Sequence, residues 1–132
     1  EVMPLRNSQP GTWARIELYS PELEHLRPFL YIDLDTAVIN SLEKLIDIIP
    51  DKGKFITLED FWQKGQLATG LVWFPANSEK VKKVYESFKG ASGFRMDSYL
   101  RKIITADFYW QNFTDTIYDF KPRNRIYLDN IP

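Results

Sequence analysis

Cysteine is absent from this 132-residue chain, which excludes disulfides and thiolate metal sites. That absence fits a reducing compartment, and a cytoplasmic location is the expectation. Histidine occurs once, as His25, close in sequence to Glu22 and Glu24; it reads as a surface residue. No apolar run approaches the roughly 18 residues of a membrane span, so none is expected. An excess of one charge is missing too: 17 basic residues face 18 acidic ones, for a net charge of -1. Non-specific polyanion binders carry a large basic excess, so no nucleic-acid partner is expected. Repeats, low-complexity tracts and dividing linkers are lacking as well, and the length suits a single domain spanning 1–132. The start, Glu1-Val2-Met3-Pro4, has neither the basic opening nor the apolar stretch of a signal peptide, and it does not begin with Met. The chain is therefore expected to be a piece of something longer.

What is present is aromatic bulk, with four Trp, seven Tyr and nine Phe available for a core or a sugar-stacking surface. After an irregular, Pro- and Gly-containing lead-in over 1–12, the pattern at 13–19 suits a short helix stopped by Pro21. Phe29-Leu30-Tyr31-Ile32 is a continuous β-prone run and predicts a strand buried on both faces of a parallel or mixed sheet. Asn40 and Glu43 form a capping-box-like start for a helix burying Leu42, Leu45, Ile46 and Ile49. Strands are predicted at 54–58 and 71–74. Ser78 can cap a helix with Val81, Val84, Tyr85 and Phe88 on its buried stripe, broken by Gly90 and Gly93. A further helix over 97–104 buries Tyr99, Leu100, Ile103 and Ile104, and 117–120 reads as a short strand. Alternating strands and helices place the chain in the α/β class.

The chemically informative residues are Asp33 and Asp35, which directly follow the first strand. Side chains two apart on an extended chain share a side, so the two carboxylates repel unless solvated, protonated or bridged by a cation. Mg²⁺ or Mn²⁺ prefers oxygen ligands and completes its shell with phosphate oxygens and water. The C-terminal edge of an α/β sheet is also where such folds bind ligands. Against this stands a plain alternative, in which both acids are solvated turn and cap residues.

Context adds weight to the metal reading. Trp13-Ala14-Arg15-Ile16-Glu17-Leu18, then Phe29 to Ile32, then Asp33-Leu34-Asp35-Thr36-Ala37-Val38 together resemble the GT-A glycosyltransferases, in which an aromatic-x-Lys/Arg helix precedes a "YLDxDT-V" strand end. Leu67-Ala68-Thr69-Gly70-Leu71-Val72-Trp73-Phe74 is similar to that family's "FNSGVMLF" strand. Met96-Asp97-Ser98-Tyr99-Leu100 resembles its "GDQ-x-x-L" helix start, and Ile117-Tyr118-Asp119-Phe120-Lys121 its "I-x-S-Y/F-K" segment. The matches run in family order.

The resemblance implies a GT-A mixed sheet flanked by helices and a metal-dependent glycosyltransferase. It would use a nucleotide-sugar donor, a UDP-sugar foremost, and a glycan, lipid or protein acceptor. It further implies Mn²⁺ or Mg²⁺ on Asp33 and Asp35, donor contacts from Arg15, Asp33, Thr69 and Gly70, and Asp97 as the catalytic residue near the acceptor.

Three departures accompany the likeness. Ala68 replaces the family's Asn, Met96 and Ser98 replace the Gly and Gln of "GDQ", and the third metal ligand, a His in "FHG-x-x-x-P", has no counterpart. The chain is accordingly expected to be a fragment lacking the N-terminal nucleotide-binding strands and the C-terminal His motif, open to oligomerisation or to completion by missing segments. Two alternatives stay open. Asp33-Leu34-Asp35-Thr36-Ala37-Val38-Ile39-Asn40-Ser41 also looks like the first motif of haloacid-dehalogenase-type phosphatases, with Asp33 as nucleophile. A non-catalytic GT-A-like domain would account for Ala68 and the absent His. For Arg15 the alternative is a surface ion pair with Glu17 or Glu22. Trp73 reads as core and Trp62 as the better ligand contact, while Lys121, Arg123 and Arg125 read as a solvated basic face.

Overall fold

The computed structural model describes residues 2, 9–91 and 95–119. The strands are β1 (Phe29–Ile32), β2 (Ile56–Glu59), β3 (Leu67–Phe74) and β4 (Phe108–Tyr109). The helices are α1 (Leu42–Asp47), α2 (Glu79–Glu86) and α3 (Met96–Ile103), with 3-10 helices at Gly11–Tyr19, Pro21–Leu26 and Trp110–Asn112. The strands form one open sheet in the order β1-β3-β2-β4. β3 pairs antiparallel with both neighbours, and β2 pairs parallel with β4. The chain is therefore a mixed α/β fold with a four-stranded sheet.

Position in the sheet explains the burial of each apolar run. β1 lies at an edge and all four of its residues are only half-buried, so the strand expected to be covered on both faces is not β1. That role falls to β3, whose residues 71–74 are all buried between β1 and β2. Among the described residues 117–119 form no strand; Phe120 lies outside them, as do Gly93, Lys121, Arg123 and Arg125. β4, only two residues long, left no pattern to read.

The first helical segment is a nine-residue 3-10 helix rather than an α-helix. Its buried residues, Trp13, Ile16 and Tyr19, are spaced by three, and at three residues per turn that spacing stacks them on one face. The face packs on α2 through Val81 and Val84, on α3 through Met96 and Leu100, and on Phe55, Val72 and Phe74 of the sheet side. Trp13 meets Phe88 and Tyr99 with ring centroids 5.7 and 5.6 Å away. The junction with the next 3-10 helix is tied by buried Arg27, which donates to the Leu18 and Ser20 carbonyls at 2.8 and 2.9 Å and to Glu24 at 2.7 Å.

The opposite face carries a second core of Ile49, Ile56, Leu58, Leu71, Trp73 and Trp110. Helix α1 covers it with Leu45 and Ile46, while Leu42, at the start of the expected stripe, faces solvent. The cap of α1 is Ser41, whose Oγ accepts from the Lys44 N–H at 3.3 Å; Asn40 instead accepts from the Ser41 N–H. Ser78 caps α2 as its position predicts, accepting from the Val81 N–H. Among the described residues no helix is long and apolar enough to cross a membrane.

Candidate functional site

β1 stops at Ile32, and its last sheet bond runs from the Asp33 N–H to the Gly70 carbonyl at 3.0 Å. The chain then turns, with the Thr36 N–H donating to the Asp33 carbonyl at 3.1 Å. The extended-chain argument for the acidic pair thus fails in its detail. The two acids are related by a turn, not by the alternation of a strand. Asp35 is exposed, and fully exposed Leu34 sits between them.

Asp33 is engaged on both oxygens. Its Oδ1 accepts from the Tyr31 hydroxyl at 2.6 Å, and its Oδ2 faces the Arg15 guanidinium at 3.7 Å. Tyr31 and Asp33 are two apart, so the pleat of β1 places them on one side. Burial, and then the bond to Asp33, push the Tyr31 phenol up to about 12, so at neutral pH it is a stable donor.

Arg15 projects from the first 3-10 helix and draws distant parts of the chain together. Its Nη1 donates to Thr69 Oγ1 at 2.8 Å, and its Nη2 lies 3.8 Å from Asp97 Oδ1. Thr69 in turn donates its hydroxyl to Asp97. The Arg15 side chain keeps 19% of its exposure, against 33% for Asp33 and 23% for Asp97, so the network sits half-sheltered at the sheet end. Arg15 therefore pairs with Asp33 and Asp97.

Thr69 reaches this position through an irregularity in β3. Between Trp73 and Ala68, β3 carries extra residues that have no partner on β2. A bulge of this kind re-aims side chains, and here Thr69 joins the Arg15 side while Leu71 joins the opposite core. Gly70 lies within the irregular stretch; a Cβ there would meet a Leu58 methyl at 3.5 Å, ordinary contact. Asp97 stands in the first turn of α3, beside buried Met96. Beneath the polar groups, Tyr19, Val72, Met96 and Leu100 line a narrow apolar cavity. Burial, and then the charge of Asp97, raise the Tyr19 phenol far above its ordinary value, so this floor is uncharged.

The loop between β2 and β3 flanks the same end of the sheet. Asp60 accepts from the backbone of Trp62 and Gln63 at 2.7 and 2.9 Å, and Arg101 of α3 donates to Asp60, Gln63 and the Leu67 carbonyl. These bonds hold Phe61 and Trp62 out towards solvent. Trp62 donates its indole N–H to Asp119 at 3.0 Å, whereas Trp73 is core. His25 is exposed on the second 3-10 helix.

The donor set suits a hard cation by chemistry, since Asp33 and Asp35 offer only carboxylate oxygens. Among the described residues no group of three or more His, Cys, Asp or Glu converges. An ion on this pair would thus take its other ligands from phosphate oxygens and water. No family model matches this chain, and comparison with curated proteins and with solved structures finds no match.

Of the residues singled out from the sequence, Arg15, Asp33, Thr69 and Asp97 share one network, Gly70 lends it a backbone carbonyl, and Asp35 stands on the adjoining turn. Sequence reasoning misses Tyr31, which the β-prone run places in the strand without a role of its own. The signal was available, because the two-residue alternation applied to Asp33 and Asp35 applies equally to Tyr31 and Asp33.

Proposed function

We propose that this chain is part of a GT-A-type glycosyltransferase that moves a sugar from a nucleotide-sugar donor, a UDP-sugar foremost, to an acceptor hydroxyl. The observation that carries the reading is Arg15 lying between Asp33 and Asp97 with Thr69 at its tip. Four positions drawn from three separate motif matches meet there. Asp33 and Asp35 would hold Mn²⁺ or Mg²⁺, whose charge would offset that on the departing nucleoside diphosphate.

The remaining chemistry belongs to the chain itself. The Arg15 guanidinium offers paired N–H donors, a geometry suited to phosphate oxygens. Tyr31 holds the Asp33 carboxylate in a fixed orientation. Asp97 commits Oδ1 to the Thr69 hydroxyl, which leaves Oδ2 to orient an acceptor hydroxyl or, for an inverting transfer, to take its proton. The uncharged floor below gives one side of the site an apolar lining.

The test is a screen of UDP-, GDP- and ADP-sugars with Mn²⁺, read as nucleoside diphosphate released when water replaces the acceptor. Slow, metal-dependent release that disappears in Asp33→Asn and Asp35→Asn is the expected outcome. Metal-dependent hydrolysis of a simple phosphate ester with an acyl-phosphate trapped on Asp33 would replace this reading with the phosphatase. Absence of both turnover and metal-dependent nucleotide binding in the complete protein would leave the non-catalytic domain.

A further inference from the structure

Building on that reading, we propose that Arg15 is an internal counter-cation that competes with the divalent ion for Asp33, so the site takes its metal together with a diphosphate. Three observations carry this. First, Tyr31 donates to Asp33 Oδ1 at 2.6 Å, so Oδ2 is the less committed oxygen. Second, Oδ2 is the atom facing Arg15 at 3.7 Å, so guanidinium and metal contend for one oxygen. Third, the bonds that Arg15 makes go to neutral groups, the Thr69 hydroxyl at 2.8 Å and the Thr12 carbonyl at 3.4 Å, while both carboxylates lie beyond hydrogen-bond length at 3.7 and 3.8 Å.

The consequence follows from charge. A metal ion reaching Oδ2 while Arg15 stands beside it meets a like charge in a half-sheltered site, where water screens only partly. A diphosphate gives the guanidinium a stronger, charge-assisted and bidentate partner than a hydroxyl. Once Arg15 turns to the phosphates, its positive charge no longer opposes an ion on Asp33. The anion and the metal therefore assist one another, and an ion without nucleotide is held weakly. Until the anion arrives, Arg15 also offsets the mutual repulsion of Asp33 and Asp97.

The experiment titrates Mn²⁺, read by the electron spin resonance of the free ion, with and without UDP. The proteins are wild type, Arg15→Gln, Arg15→Lys and Asp33→Asn, each checked for folding by circular dichroism. Arg15→Gln should bind Mn²⁺ alone about tenfold more tightly than wild type. The tightening that UDP causes in wild type should largely vanish in that variant. Should Arg15→Gln fail to fold, Arg15→Lys decides, since one amine cannot span both carboxylates and a gain of about threefold is expected. Unchanged or weaker Mn²⁺ binding in the folded variant, with binding still lost in Asp33→Asn, would overturn the competition and leave the metal site standing. No Mn²⁺ binding by any of the proteins, with or without UDP, would overturn both.

Discussion

The two faces of the sheet handle polar groups in opposite ways. On the face covered by α1 and the last 3-10 helix, the polar groups drawn into the core include two indole N–H groups with backbone partners. Trp73 donates to the Lys52 carbonyl at 2.9 Å and Trp110 to the Leu71 carbonyl at 3.1 Å. Each is a neutral donor with a fixed acceptor, so burial costs little and the ring's full area counts towards stability. On the other face, covered by the first 3-10 helix, α2 and α3, an ionic network of Arg15, Asp33 and Asp97 sits at the margin of an aromatic core. Half-exposed ion pairs of this length contribute little to stability. The indole donors serve the core of the first face, and the Arg15 network stands where a ligand can reach it.

The strongest way to break this comparison is to remove Trp110, which is fully buried. Trp110→Ala should destabilise the protein by about 3–5 kcal/mol, since a large ring is lost and the Leu71 carbonyl is orphaned. Urea denaturation measures this. A loss under about 1 kcal/mol would mean that the face closes over the cavity and that the indole is not a principal support.

A smaller effect should come from the ionic side. Asp97→Asn keeps the shape and an acceptor for Thr69, so the stability change should stay below about 1 kcal/mol. Turnover of the nucleotide sugar should nonetheless fall by about tenfold or more. A large stability loss with unchanged turnover would reverse the contrast, making the network structural.

The smallest effect appears only in acid and concerns Asp107, at the start of β4. Burial alone would raise its carboxyl, but the Lys80 ammonium at 2.6 Å and the Phe55 N–H at 2.8 Å outweigh it and hold the group below the usual range. A depressed folded-state pKa stabilises above the unfolded value, near about 3.9, and that stability fades as pH falls towards the folded value. The denaturation midpoints of wild type and Asp107→Asn should therefore differ at about pH 7 and converge below about pH 4. A constant gap across that range would show that Asp107 acts through shape alone.

Spacing alone carried a good part of the fold. The β-prone run at 29–32, the Ser78 cap with Val81 and Val84 behind it, and the helix around Leu100 are local patterns, and local patterns survive folding. The 3-10 character of Gly11–Tyr19 was also written in the spacing of Trp13, Ile16 and Tyr19, although an α-helix accommodates nearly the same pattern. The candidate site was legible only as separate motifs carried by a resemblance. Nothing local states that Arg15 reaches Thr69 and Asp97.

By itself, then, the sequence determined the α/β class, the positions of several helices and strands, and the oxygen-only chemistry at Asp33 and Asp35, because periodicity and side-chain chemistry are properties of neighbours along the chain. The tertiary structure decided which strand is central, since hydrogen-bonded pairing of β3 with β1 and β2 leaves β1 at an edge despite its apolar run. It also decided which way Thr69 points, because the unpaired residues of β3 arise only against β2. Above all it decided that a single guanidinium would stand between two carboxylates contributed by the turn after β1 and by α3. That arrangement depends on three elements meeting in space, and no spacing in one chain segment encodes such a meeting.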